Sequence, residues 1–242
     1  MLRQKVFLMV FTFLICCGLA NAKVLFVDDF EDDNFGDEPS KWEHLDFAGG
    51  NSIITVEEDP AKTKNNVAKT IGIGLYIPST NGREKWSDYV WDFDWMWESD
   101  SYVGTVYRVE DVEAHYHGSR RQGATEIHIY TRNAGNWANV ATGTYPNENN
   151  VWYSHRLIIK GNKHQIYMKE RDDDTPFEEL KPVVEVEDDT FEDGPIGMMG
   201  ITTGISYFDN MVLVETLQDI ENLKSVELTG KLSTTWGQIR NY

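Results

Sequence analysis

The sequence contains little cysteine, and the cysteine it has lies near its start. Cys16 and Cys17 are the two cysteines among 242 residues, and both fall in an apolar N-terminal segment. If that segment is removed on export, no disulfide bond can cross-link the remaining chain. We therefore expect stability to come from an apolar core, with at most a bound metal ion in addition.

The N-terminal segment has the pattern of a secretory signal peptide. Arg3 and Lys5 precede an apolar run over residues 6–19, and Ala20-Asn21-Ala22 matches the small-x-small cleavage pattern. Residues 1–22 are therefore predicted to be removed, which leaves a secreted protein, extracellular or periplasmic, that begins at Lys23. We expect no membrane span, because no later stretch is apolar enough for one.

Basic residues are also scarce. The chain has 22 Lys and Arg against 40 Asp and Glu, a net charge of −18. A strongly acidic protein is a poor partner for nucleic acid and for anionic membrane surfaces. Neutral sugars and divalent cations remain compatible with this charge.

Short strands separated by polar turns account for most of the sequence. The strands are predicted at 24–27, 53–56, 67–77, 89–97, 104–109, 126–132, 137–142, 152–160, 165–169, 183–186, 196–202 and 207–214. Without long helices between them, these strands predict an all-β sandwich of two antiparallel sheets. Residues 23–215 would form this domain. Residues 216–242, with a short helix from Leu217, would form a tail or appendage.

Three stretches resemble the concanavalin A-like lectin/glucanase superfamily. The first is Phe26-Val27-Asp28-Asp29-Phe30-Glu31, followed by Trp42. The second runs from Trp152 to the turn Gly161-Asn162, and the third joins Gly194-Pro195-Ile196-Gly197 to the strand at 207–214. The pattern is most similar to laminin-G-like and 3-keto-disaccharide hydrolase-like domains of secreted bacterial proteins. The resemblance implies a jelly roll of two curved sheets, one with a concave face that binds carbohydrate.

In the strand at 89–97 every second residue is aromatic, and Asp92 and Asp94 lie between them. Because side chains alternate across a strand, its five aromatic rings share one face, which we expect to be core. The same alternation in neighbouring strands predicts a polar groove on the opposite, open face of one sheet. Its predicted residues are Asp92, Asp94, Arg108, Glu126, His128 and Tyr130. A loop over residues 113–118, with His115 and His117, would form its rim.

The resemblance also implies a structural calcium ion that joins the first strand to the last. In that arrangement Asp29 offers its backbone carbonyl and Asp209 its carboxylate, and the turn at Lys64-Asn65-Asn66 supplies further oxygen ligands.

Three functions remain open on the sequence alone. The first is non-catalytic carbohydrate binding, the second is a glycoside hydrolase or lyase, and the third is an extracellular adhesion module. Glu126-x-His128 differs from the Glu-x-Asp-x-(x)-Glu pattern of retaining glucanases, because histidine replaces aspartate and no second glutamate follows. The sequence therefore shows no complete catalytic set.

Overall fold

Alternating apolar and polar residues build fifteen strands in the part of the chain that the structure describes. The structure is a computed structural model, and it describes residues 22–47, 49, 53–98, 103–120, 125–200 and 204–228. All strand pairings are antiparallel. The result is the predicted jelly-roll sandwich of two sheets.

The strands have the following bounds: β1 Val24–Asp28, β2 Trp42–Leu45, β3 Ile53–Glu58, β4 Asn66–Ile71, β5 Gly74–Pro78, β6 Tyr89–Trp97, β7 Val103–Asp111, β8 Ala114–Arg120, β9 Glu126–Asn133, β10 Asn136–Thr144, β11 Tyr153–Lys160, β12 Lys163–Glu170, β13 Val184–Glu187, β14 Gly197–Gly200 and β15 Ile205–Val214. Two short 3-10 turns cover Arg83–Lys85 and Phe177–Glu179, and the helix α1 covers Leu217–Leu228.

The two sheets differ in strand number. Sheet A has eight strands in the order β13-β12-β11-β6-β15-β4-β3, and β1 also pairs with β15. Sheet B has seven strands in the order β10-β9-β8-β7-β14-β5-β2. Strands β6 and β7 follow each other in the chain but lie in different sheets, a fact that decides where the predicted groove residues end up.

The core between the sheets is rich in aromatic rings. Trp91, Phe93 and Trp95 of β6 are at most 5% exposed, as are Tyr89 and Trp97, so the predicted aromatic face is buried. From sheet B, rings and aliphatic side chains of β7, β8 and β9 pack against them. Burial of each large ring stabilises the fold by about 2–3 kcal/mol.

The hairpin of β11 and β12 follows its sequence closely. Lys160 pairs with Lys163, so the turn is the two residues Gly161-Asn162. Gly161 has φ of 57°, a backbone conformation that glycine adopts without steric cost. The alternation of apolar and polar residues on both strands then sets the register.

Two predicted elements are wrong. Residues 67–77 form two strands in different sheets, because Gly72, with φ of 88°, redirects the chain between β4 and β5. Residues 113–118, predicted as a rim loop, belong largely to β8, an inner strand of sheet B. The polar side chains of this segment had predicted a loop in place of a strand.

The helix α1 covers one end of the outer face of sheet A. Ile220 packs there with Val90 and Val214. No helix among the described residues is long and apolar enough to cross a membrane. The predicted signal peptide and the end of the tail, residues 1–21 and 229–242, lie outside the described residues.

Candidate functional site

The outer face of sheet B carries a grid of polar and aromatic side chains over β8, β9 and β10. Strand register aligns three rows of three residues, which together we call the β8–β10 face. The rows are Trp137, Arg132 and His115; Asn139, Tyr130 and His117; and Thr142, His128 and Ser119. The alternate residues of these strands, among them Tyr116, Ile127 and Ile129, point into the core.

Trp137 is the most exposed large apolar side chain of this face. It lies on the edge strand β10 and is 38% exposed. Its ring centroid is 5.8 Å from that of His115, 5.6 Å from that of His117 and 6.4 Å from that of Tyr130. The ring therefore leans across β9 towards β8 and presents an apolar surface bordered by polar groups.

Arg132 holds this ring in place. Its guanidinium lies 5.0 Å from the ring centroid of Trp137 and 4.9 Å from that of Phe47, so it sits against two aromatic rings. Its Nη2 donates a hydrogen bond of 2.6 Å to Oε2 of Glu113. The guanidinium and the carboxylate thus form a charge-assisted pair beside the exposed tryptophan.

A second group of side chains surrounds His128. The Nδ1 atom of His128 lies 3.2 Å from Nδ2 of Asn139 and 3.0 Å from Oγ1 of Thr142, and its Nε2 lies 3.3 Å from Oε2 of Glu126. The ring of His128 stacks on Tyr130 at 5.3 Å. These contacts fix the exposed amide and hydroxyl of β10 in defined directions.

His115 and His117 form a buried floor beneath the exposed residues. Burial lowers the pKa of His115 to about 4 and that of His117 to about 3, so both rings are neutral at pH 7. Their Nε2 atoms and Oγ of Ser119 are buried and make no hydrogen bond with any described residue. Such unsatisfied polar atoms are rare in a protein core, so a group of them on one face marks it as unusual.

The six residues of the predicted groove do not share one face. Glu126, His128 and Tyr130 lie together on the outer face of sheet B, but Asp92 and Asp94 lie on β6 in sheet A. The prediction assumed that strands close in sequence would neighbour each other. Because the chain changes sheets between β6 and β7, these carboxylates are on the opposite side of the sandwich.

Asp92 and Asp94 take part in a separate network. Arg156 of β11, and not Arg108, binds Asp92 through Nε and Nη2, each at 2.7 Å. Asp94 accepts a hydrogen bond of 2.6 Å from Ser154. Burial, opposed by these hydrogen bonds, raises the pKa of Asp94.

Arg108 is a structural residue and lies outside both networks. It has φ of 48° at an irregularity in β7, and its side chain is buried. Its guanidinium donates hydrogen bonds to three backbone carbonyls, those of Phe191 at 2.9 Å, Ser87 at 2.9 Å and Gly161 at 2.7 Å. Arg108 thus joins three loops at one end of the sandwich.

The residues predicted to bind calcium lie near one another. Asp29 follows the last residue of β1, Asp28, which pairs with Met211, and Asp209 is two residues before Met211 on β15. Asn65 belongs to the turn predicted to supply oxygen ligands, and its Nδ2 donates a hydrogen bond of 3.0 Å to Asp209. Burial raises the pKa of Asp209 to about 7, and the charge of Asp94 adds to this effect.

The donor set at Asp209 fits a calcium ion better than a transition metal. Nδ2 of Asn210 donates to both Asp94 and Asp209, so the two carboxylate oxygens lie at most about 6 Å apart. Among the described residues, no group of three or more His, Cys, Asp or Glu is placed to bind a metal. Calcium accepts amide and backbone carbonyl oxygens in addition to carboxylates, so it does not need such a group.

Solved structures share this fold at low sequence identity. The carbohydrate-binding module CBM66 from Bacillus subtilis is 15% identical, with 75% of this chain and 97% of that chain covered and a TM-score of 0.53. A protein of unknown function with a galectin-like fold from Bacillus subtilis is 11% identical, with 81% and 97% covered and a TM-score of 0.54. The GH43 protein BlXynB from Bacillus licheniformis is 10% identical, with 78% of this chain and 39% of that one covered and a TM-score of 0.54.

These likenesses agree with the predicted lectin/glucanase-like sandwich and, at such identities, extend to the fold alone. No protein-family model and no curated protein matches the sequence.

Proposed function

We propose that this protein binds carbohydrate on the β8–β10 face, with Trp137 as the surface on which a sugar ring stacks. The observation that carries the proposal is the exposed ring of Trp137, held by Arg132 and surrounded by fixed polar groups. Apolar surface rimmed by polar residues is a common feature of interaction sites, and the exposed ring of Trp137 with the half-buried ring of Tyr130 provides such a surface. A sugar has the matching chemistry, because its ring has an apolar face and a rim of hydroxyl groups.

Polar groups for those hydroxyls lie within the same rows. Asn139 and Thr142 are exposed on β10, and Tyr130 is half-buried on β9. The contacts of His128 to Asn139 and Thr142 orient them before a ligand arrives, which reduces the entropy lost on binding.

Binding, and not glycoside hydrolysis, is the activity that the carboxylates of this face support. A glycosidase needs two carboxyl groups about 5–10 Å apart across the scissile bond. The carboxylate of Glu113 binds Arg132 at one end of β9, and Glu126 lies at the other end of that strand. Six residues separate Glu126 from Arg132, or roughly 20 Å at the rise of a β-strand. This separation is too large for such a pair.

Binding is tested with Trp137→Ala on an array of glycans, followed by calorimetry on any glycan that binds the wild-type protein. We expect the variant to lose at least about tenfold in affinity, because aromatic contacts and apolar burial together contribute more than 1.4 kcal/mol. Phe35→Ala is the matched control, since Phe35 is 65% exposed and lies on a loop outside the β8–β10 face. Equal binding by both variants, or binding of no glycan by the wild-type protein, would exclude the proposal.

We propose in addition that a calcium ion stabilises the fold at Asp209. The support is a buried carboxylate next to Asp94, with the amide of Asn65 and the backbone of Asp29 nearby. A divalent cation would compensate two buried negative charges and join β1, β4 and β15.

Export is the third part of the proposal. Residues 1–22 would direct the chain out of the cytoplasm, where a domain without disulfides and with its own calcium site could meet extracellular glycans. We also propose that, within the superfamily, the domain is most similar to laminin-G-like domains, because the three sequence stretches occur in the same order.

A further inference from the structure

We propose that the β8–β10 face selects neutral glycans and rejects acidic ones, and that Glu113 enforces this choice. The inference rests on the carbohydrate binding proposed above and adds the chemical class of the ligand. Acidic glycans carry carboxylate or sulfate groups, which proteins bind through available arginine or lysine side chains. Binding of an acidic glycan therefore depends on whether a positive charge on this face is available to the ligand.

Arg132 is the one arginine or lysine among the described residues of β8, β9 and β10 whose side chain lies on this face. Its side chain is 13% exposed, and its guanidinium lies 4.9 Å from the ring centroid of Phe47 and 5.0 Å from that of Trp137. The 2.6 Å hydrogen bond to Glu113 occupies its Nη2. Nε of Arg132 is buried and makes no hydrogen bond with a described residue. A carboxylate on a ligand would therefore compete with Glu113 for the Nη2 side of the guanidinium.

The turn between β9 and β10 is shaped to admit Glu113. A Cβ atom at Gly135 would lie 2.8 Å from Oε2 of Glu113, so any larger residue would crowd the carboxylate. Gly135 also has φ of 80°, and its backbone N–H donates to the carbonyl of Glu113 at 3.4 Å. The pairing of Glu113 with Arg132 is thus supported by the backbone of a neighbouring turn.

His115 and His117 add no positive charge to this face at neutral pH. His115 and His117 are buried, and burial keeps their pKa at about 4 and about 3. The ring nitrogens of His128 already contact Asn139, Thr142 and Glu126.

Among the described residues of β8, β9, β10 and the turn before β8, the exposed charged side chains of this face are acidic. The side chain of Glu113 is 43% exposed and that of Glu126 is 39% exposed, in a chain of net charge −18. The carboxylates of the face would therefore repel an acidic glycan, and a neutral glycan would not experience this repulsion.

The experiment compares pairs of oligosaccharides that differ only at C6. Oligogalactosides are compared with oligogalacturonides, and cello-oligosaccharides with their C6-oxidised counterparts, by calorimetry at pH 7 and low salt. Glu113→Gln is measured in parallel, because it releases Arg132 without changing the shape of residue 113. Glu43→Gln is the matched control: Glu43 lies at the other edge of sheet B, pairs with Arg83, and has a side chain 41% exposed.

We expect wild-type protein to bind a neutral member of at least one pair, and to bind its acidic partner at least about tenfold more weakly. Glu113→Gln should narrow this gap by about tenfold, because a charge-assisted hydrogen bond becomes available to the ligand. Glu43→Gln, with the same change in net charge, should leave the gap unchanged.

The failures of the two proposals are distinguishable. If an acidic glycan binds wild-type protein as well as its neutral partner, carbohydrate binding stands and selection of neutral glycans is refuted. The role of Glu113 is refuted if Glu113→Gln and Glu43→Gln narrow the gap equally. If no oligosaccharide binds, carbohydrate binding itself fails. The wild-type comparison decides the glycan class even if Glu113→Gln does not fold.

Discussion

Replacing Asp209 by asparagine should make the metal-free protein more stable at neutral pH. The carboxylate of Asp209 is 2% exposed, and burial raises its pKa from an ordinary value of 3.8 to about 7. Its oxygens accept hydrogen bonds from Asn65 and Asn210. Asparagine has the same shape and no charge, and Asn65 can turn its amide to present an oxygen to the new side chain.

The pKa of Asp209 determines the sign and size of this change in stability, because protonation and folding are linked. Because the fold raises this pKa, the folded state holds the proton more tightly than the unfolded state does. The stability that the protonated form contributes is complete below about pH 4 and is lost as the pH rises through about 7. A shift of about three units corresponds to a loss of about 4 kcal/mol, at about 1.4 kcal/mol per unit.

Buried histidines change the same pH profile in the opposite direction. Burial lowers the pKa of His115, His117, His155 and His164, so their contribution to stability is present above about pH 6.5 and is lost as the pH falls towards 4 or 3. The profile of the wild-type protein alone therefore cannot isolate Asp209. The difference between wild type and Asp209→Asn can, because the histidines contribute equally to both.

The assay is urea denaturation of both proteins at pH 4 and pH 8, first with a chelator and then with excess calcium. With chelator, Asp209→Asn should gain on the order of 3 kcal/mol relative to wild type between the two pH values. Calcium should remove most of that gain by stabilising the ionised wild-type carboxylate. Asp189→Asn, at an exposed position, is the control. A difference that stays constant with pH would refute the burial argument, and a wild-type protein indifferent to calcium would refute the ion.

Four further outcomes are expected. Trp95→Ala should lower the free energy of unfolding, measured by urea denaturation, by about 3–5 kcal/mol, since the ring lies in the core. A smaller loss would show that the ring is not part of the core. Arg108→Gln should cost roughly 3 kcal/mol, because three backbone carbonyls lose their charged donor, and thermal melting near the wild-type value would contradict this. Gly104→Ala should cost about 1–3 kcal/mol by overpacking, since its Cβ would lie 2.1 Å from the carbonyl oxygen of Gly118. N-terminal sequencing of exported protein should begin at Lys23, and any other start would disprove the predicted cleavage site.

Local features of the fold were predictable from the sequence. The bounds of β6 at Tyr89 and Trp97 and the turn at Gly161-Asn162 agree with the prediction. In both cases the signal is carried by neighbouring residues, because alternation sets the faces of a strand and glycine permits a tight turn. The all-β class follows from the same local signals repeated along the chain.

The membership of each sheet was not predictable in this way. Tyr207 and Met96 are neighbours across sheet A although 111 positions separate them, and β6 pairs with β11 and β15 but not with β7. The pairing of strands depends on packing over the whole sandwich, and alternation within a strand carries no information about it. Asp92 and Asp94 were correctly placed on the polar side of their strand, but on the wrong side of the molecule.

Strand β8 shows why the site itself was only half predicted. His115 and His117 point to the outer face, yet both are at most 1% exposed. Their polarity had predicted an exposed loop, whereas they lie on an inner strand of the sheet. Trp137, on the edge strand β10, was predicted to lie in a strand but was not assigned to the site. Its exposure becomes visible only when the register places it beside Arg132 and His115. A ring that leans over buried histidines and remains partly open to solvent is therefore a tertiary feature, and it is this feature, not any one motif, on which carbohydrate binding depends.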